Sequence, residues 1–287
     1  MLKKMLIYIL FFVLGAIFMG IILVFYYNPN IPATLNTNHT IAKYLEYGDS
    51  FKEIEIRDYN NQLSDLNLGN DYTIIFHLSA SCHSCIDKID GFKNLINSFS
   101  SSQLEFRFLW TDEIPKQVIS EYGISDLLNY SLNGKYTLSD IFPEAYILDN
   151  DGKIIFKCNS MENLVNKMVE IFQEKVADIR NSAIKYFFNT FKDQNSYKLV
   201  IFTTGNCEGC EIVDNKIKKN KLDNTQIIKI SDESQTDQNI YQDYFSLYTK
   251  LFNIKKYPSL YLYNSDGNFI LHTSDINEIY NYLAKGS

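Results

Sequence analysis

Apolar positions along the chain change period in a repeating order. Tyr72-Thr73-Ile74-Ile75-Phe76-His77-Leu78 is a continuous apolar, β-branched and aromatic run, the pattern of a buried strand. Ser79-Ala80-Ser81 interrupts it. Ile86, Ile89, Phe92, Leu95, Ile96 and Phe99 then recur at steps of three and four, which predicts an amphipathic helix. A strand follows over Leu104 to Trp110, and Pro115 suits the first turn of a helix reaching about Tyr122. Asp151-Gly152 between two apolar runs predicts a hairpin. Pro143 stands at the entry to its first arm, where proline costs no ladder bond. Helical spacing returns from Met161 to about Phe172 and again from Val176 to Phe191.

The same order then repeats. Lys198 to Phe202 is a predicted strand, Thr203 to Asn206 a turn, and Ile212, Val213 and Ile217 mark a helix. A strand over Gln226 to Ile230, a helix over Gln238 to Phe252, a hairpin entered by Pro258 and turned at Asp266-Gly267, and a helix from Asp275 to Leu283 complete it. From proline to turn glycine is nine positions in both copies, 143 to 152 and 258 to 267. Ahead of the first copy, Phe51 to Ile56 alternates, Asp58 to Asn61 turns, and Gln62 to Leu68 returns as the second arm of a short hairpin.

The amino end has another pattern. Met5 to Tyr27 is uncharged and apolar, and as a helix of ~1.5 Å per residue it is long enough to cross a hydrocarbon core of ~30 Å. Lys3 and Lys4 precede it and the next basic residue is Lys43, so an uncleaved anchor with a cytoplasmic amino terminus and external domains is expected. Asn28 to Tyr47, with Pro29 and Pro32, is expected to be a stem.

A hydrophobic fraction of 46% supports packed cores, and a net charge of -7 without a basic cluster argues against a nucleic-acid surface. The five cysteines change the picture most. Cys82-His83-Ser84-Cys85 and Cys207-Glu208-Gly209-Cys210 each fall where a predicted strand hands over to a helix, and Cys158 stands apart. Unpaired N–H groups and the positive end of the dipole at a helix N-terminus favour a thiolate. Cys82 and Cys207 are therefore the expected attacking thiols, and Cys85 and Cys210 the resolving ones. The bland alternative is a stapling disulfide or a pair of buried small hydrophobes. A shared zinc site does not fit, because 125 positions separate the first cysteines of the two motifs. His39, His77, His83 and His272 show no ligand spacing, and His77 is expected to be a packed core residue. Cys158 is expected to be a buried small hydrophobe.

With motif and proline in the same order twice, both halves resemble the thioredoxin superfamily, in which a Cys-x-x-Cys at a helix N-terminus faces a cis-proline heading an antiparallel strand. The resemblance implies an α/β fold of two tandem thioredoxin-like domains, each a central mixed sheet flanked by helices, behind a transmembrane helix. The expected boundaries are 1–27 for the cytoplasmic start and anchor, 28–47 for the stem, 48–174 for the first domain, 175–196 for a helical connector and 197–287 for the second domain. The first half is similar to membrane-anchored thiol-disulfide reductases of the TlpA type. The resemblance further implies that Pro143 and Pro258 are cis and lie beside Cys82 and Cys207, and that the backbones of Phe142 and Tyr257 pair with a substrate chain. Departures are plain. Ser81 and Asn206 replace the usual tryptophan, and Phe76 and Ile201 replace the buried acidic residue six positions before the first cysteine. The function expected is a membrane-anchored extracytoplasmic thiol-disulfide oxidoreductase, leaning to reductase by resemblance. Its partners would be protein thiols and disulfides and a membrane thiol-relay protein; no metal or cofactor and no nucleic acid enters this reading. A non-catalytic thioredoxin-like adaptor is the alternative. His83 beside Cys82 favours a thiolate and Glu208 beside Cys207 disfavours one, so the second pair is expected to be the more reducing.

Overall fold

The apolar run before Cys82 is the central strand of a seven-stranded mixed sheet, and every residue from Thr73 to Leu78 is buried. The computed structural model describes residues 41–42, 44–66, 68, 70–100, 104–132, 136–190, 197–233 and 240–286. The strands of the first sheet are β1 (Ile56–Arg57), β2 (Leu63–Ser64), β3 (Tyr72–Leu78), β4 (Leu104–Trp110), β5 (Leu128–Leu132), β6 (Glu144–Asp149) and β7 (Ile154–Cys158). Their order is β2-β1-β5-β4-β3-β6-β7. Strand β3 runs parallel to β4 and antiparallel to β6, with His77 opposite Glu144. Helices α1 (His83–Ile86), α2 (Ile89–Ser98), α3 (Lys116–Glu121), α4 (Met161–Ile171) and α5 (Val176–Thr190) accompany it.

The second sheet has five strands: β8 (Tyr197–Thr203), β9 (Thr225–Ser231), β10 (Ile240–Gln242), β11 (Ser259–Asn264) and β12 (Phe269–Thr273), in the order β10-β9-β8-β11-β12. Helices α6 (Glu208–Lys219), α7 (Leu247–Leu251) and α8 (Ile276–Gly286) complete it. The architecture is thus α/β, two mixed sheets flanked by helices, consistent with thioredoxin-like domains.

Residues 42–287 form one unit. The reason is a continuous apolar cluster running from Ile74, Phe76 and Cys85 through α4 and α5 to Val200, Phe202 and Tyr261 of the second sheet. The connector helix α5 is therefore a layer of the second sheet, with Phe188 edge-on to Tyr263 at 5.3 Å and Phe187 edge-on to Tyr241 at 4.5 Å. The opposite face of the second sheet, Leu199, Ile201, Leu260 and Leu262, packs on Val213 of α6 and Ile276 and Ile279 of α8. The far face of the first sheet is covered by Leu45, Phe51 and Ile54. Leu45, inside the expected stem, is fully buried, and the Lys157 ammonium donates to its carbonyl at 2.9 Å.

Several expectations need correction. The helix after Cys82 is broken: the ladder tightens at Lys88, whose N–H bonds Cys85 O at 3.3 Å, and resumes with Phe92 N–H to Lys88 O. The alternating stretch at 51–56 is a short 3-10 turn over Phe51–Glu53, with only Ile56–Arg57 in strand. The helix expected over 238–252 is confined to Leu247–Leu251, because Phe245 and Ser246 take left-handed backbone (φ 62 and 55) and Ile240–Gln242 joins the sheet edge. Strand β5 was not foreseen; its buried residues are Leu132 and the polar Asn129 and Ser131, and Asn129 is satisfied by the Trp110 indole at 3.1 Å and by the Ile124 and Leu127 carbonyls. Among the described residues no helix is long and apolar enough to cross a membrane. The apolar run 5–27 lies outside the described residues.

Candidate functional site

Each cysteine pair is closed into a disulfide, with Cα atoms 5.3 Å apart for Cys82–Cys85 and 5.2 Å for Cys207–Cys210. Each first cysteine is the N-cap of its helix in extended backbone, and its Sγ accepts the N–H of the second cysteine at 3.2 Å. The placement satisfies a donor that the first helical turn leaves unpaired. Cys82 and Cys207 are half-buried at the mouth, while Cys85 and Cys210 are buried beneath. The Phe142–Pro143 and Tyr257–Pro258 peptides are both cis.

The second proline stands beside its motif. A side chain at Gly209 would meet Pro258 Cδ at 2.9 Å, so the second site closes by glycine against proline. In the first site β6 brings Glu144 opposite His77, which places Pro143 at the level of Leu78, the last residue before the motif turn. The Phe142 and His77 rings meet in a T-shaped contact, centroids 5.0 Å apart. Tyr257 sits differently, its hydroxyl 3.4 Å from Thr249 Oγ1.

Beneath the sites the chemistry diverges. Phe76 and Ile201, at the positions six before the first cysteines, are fully buried. After Pro143 comes buried Glu144, paired with Lys157 at 3.5 Å and accepting a hydrogen bond from the Tyr146 hydroxyl. After Pro258 comes Ser259, 2.7 Å from His272 Nε2. His77 is indeed core: fully buried, with burial first and Lys157 second pushing its pKa down to about 4. His83 is 95% exposed and lies 3.9 Å from Asp87, so it is turned to solvent and toward a carboxylate. Burial pushes the Cys158 thiol up to about 12, which leaves it unreactive at neutral pH.

Sequence reading missed two supports. Thr111 bonds the end of β3 through both its N–H and hydroxyl to Leu78 O, at 2.9 and 3.1 Å. Asp232 accepts from the Thr204 hydroxyl at 3.1 Å in the turn before Cys207. Neither carries a local signal, since each acts across the sheet. A cleft of about 530 Å³ runs from Asp87 and Lys88, beyond the first pair, to Asp232 and Asp243. Burial pushes the Asp243 carboxyl up to about 6 even though it accepts the N–H groups of Tyr248 and Thr249 at 2.8 and 2.9 Å.

No protein-family model matches the chain, and no curated protein does. Among solved structures it is similar to a domain of a possible thiol-disulfide isomerase from Cytophaga hutchinsonii, at 20% identity and a TM-score of 0.40, over 46% of this chain and 96% of that one. A thioredoxin domain of a thiol-disulfide oxidoreductase from Bacteroides vulgatus gives 22% identity and 0.36, over 44% and 99%. A thiol:disulfide interchange protein from Bacteroides sp. gives 19% and 0.35, over 44% and 90%. Independently of these, the chain's own strand order, helix-capping cysteines and cis-prolines are consistent with thioredoxin-like domains.

Proposed function

We propose that the chain is a membrane-anchored, extracytoplasmic thiol-disulfide oxidoreductase that reduces disulfides in protein substrates. The observation that carries the redox part is the pairing, twice over, of a half-buried capping sulfur with a buried partner one turn on, beside a cis-proline strand. In the reduced pair the Cys82 thiolate attacks one sulfur of a substrate disulfide, forming a mixed disulfide and releasing a substrate thiolate, which takes a proton. Cys85 then attacks Cys82 Sγ, closing the pair and expelling the second substrate thiolate. Two electrons pass from the pair to the substrate, and the pair ends as the disulfide. Cys207 and Cys210 have the same geometry for the same exchange. The substrate chain lies along the backbones preceding Pro143 and Pro258, at Phe142 and Tyr257.

A resting disulfide needs an electron source, and for domains outside the membrane a thiol-relay protein within it fits that need. The anchor rests on the uncharged run 5–27 behind Lys3 and Lys4. Chains carrying Cys85→Ser or Cys210→Ser should accumulate mixed disulfides with protein substrates, and reduced wild type should turn over insulin disulfides. Loss of insulin turnover is expected only when Cys82→Ser and Cys207→Ser are combined. Absence of both trapping and turnover, with no thiol titrating below ordinary cysteine, would replace the enzyme by an adaptor.

A further inference from the structure

We propose that His77 is a positioning residue of the first site, its imidazole ring holding Phe142 so that the backbone before Pro143 is fixed for a polypeptide substrate. The inference rests on the oxidoreductase reading above. His77 is fully buried in the central strand, five positions before Cys82. The Thr111 hydroxyl donates to Leu78 O at 3.1 Å, so its oxygen accepts from His77 Nε2–H, also at 3.1 Å. That bond leaves Nδ1 as the unprotonated nitrogen, and it has no hydrogen-bond partner among the described residues. The ring is thereby tethered at one edge and set at 67° to the Phe142 ring, centroids 5.0 Å apart.

The second site provides an internal contrast. Its equivalent position is Phe202, which packs on Phe252 at 5.2 Å and Tyr261 at 5.7 Å, while Tyr257 reaches Thr249 instead. A polar ring tied to the neighbouring strand and laid against the residue before the proline is therefore particular to the first site. Phe142 is half-buried, with its ring held and its backbone at the strand entry. Loosening the ring frees the backbone edge that a docked chain pairs with, without moving either sulfur.

The test uses the full chain carrying Cys207→Ser and Cys210→Ser, so that only the first pair turns over. His77→Ala should raise KM for reduction of insulin disulfides roughly three- to tenfold, the worth of one edge-to-face contact. It should lower the ratio of insulin to glutathione-disulfide turnover by the same factor and leave the Cys82–Cys85 potential in place. His77→Phe, which restores a ring edge, should recover KM to within about twofold. If His77→Ala does not fold, His77→Leu fills the space without a ring and should show the same selective loss. An equal loss on both substrates, a shifted potential, or an unchanged insulin KM in the variant that folds overturns the inference alone. A parent chain inactive on both substrates overturns the reading of the first pair as an exchange site and this inference with it, and wild type inactive as well overturns the oxidoreductase reading.

Discussion

The two cysteine sites share one geometry and differ in what surrounds it. In the first, a single turn, α1, carries the motif, and the helix resumes as α2 against the second half: Phe245 packs on Phe92 at 5.4 Å and occupies the space a side chain at Gly91 would need. In the second, α6 runs unbroken from Glu208 to Lys219 on the outer face of its sheet, with Ile212 exposed. The first motif has no acidic residue in its helical turn, while Glu208 and Glu211 stand in the first turn of the second. The first cysteine of each pair thus caps its helix in both sites, and the charged neighbours differ. The helix that follows the first motif is thus packed against Phe245 of the second half.

The largest expected contrast is in pH. Below 6.5 unfolded His77 binds a proton that the folded chain, with a pKa of about 4, refuses, so this group's contribution is complete above 6.5 and lost as pH falls toward 4. Asp243 has the opposite sign: its folded pKa of about 6 stands above 3.8, so its contribution is complete below 3.8 and lost as pH rises through 6. Each window is worth about 3 kcal/mol at 1.36 kcal/mol per unit. Urea midpoints of His77→Phe between pH 4 and 7 should therefore fall with pH relative to wild type, and those of Asp243→Asn should rise. Parallel profiles for all three chains would erase the contrast.

A smaller effect tests the closure of each site. Gly209→Ala puts a methyl 2.9 Å from the Pro258 ring, and such overpacking should cost about 1–3 kcal/mol and slow turnover at the second pair. Ser84 already carries a side chain at the matching position, its hydroxyl 3.3 Å from Cys82 Sγ and exposed, so Ser84→Ala should stay within about 0.5 kcal/mol. Thermal unfolding of both variants decides it, and equal losses would mean the two prolines seat alike. The smallest effect is on potentials. Removing the charge in Glu208→Gln should raise the Cys207–Cys210 potential, and His83→Gln should lower that of Cys82–Cys85, each by about 10–20 mV in glutathione titration. His83 should give the lesser shift, since Asp87 lies beside it. Shifts of the reverse sign would overturn the expectation that these neighbours make the second pair the more reducing.

Both motifs, their strands and the two proline-led hairpins were legible because their signals are local: a β-branched run, a turn, a capping position and a glycine at φ 76 or 80. Strand β5 was not, because its buried side carries Asn129 and Ser131, and inward polar residues make sense only beside Trp110. The helix expected over 238–252 failed for a similar reason. Asp243 caps α7 from a left-handed turn that Phe245 holds against the other half, and no window of sequence contains Gly91 and Phe245 together. His77 was correctly placed in the core, yet its bond to Thr111 spans 34 positions.

The sequence by itself determined two strand–motif–helix units, each followed by a proline and a turn glycine at the same spacing, since periodicity and backbone preference act over a few residues. Tertiary structure decided which face each motif helix covers, that α5 packs on the second sheet, and that His77 lies against Phe142 while the equivalent Phe202 packs on Phe252. Those choices follow from burial and from pairing of polar groups across the sheets, which depend on residues far apart in the chain.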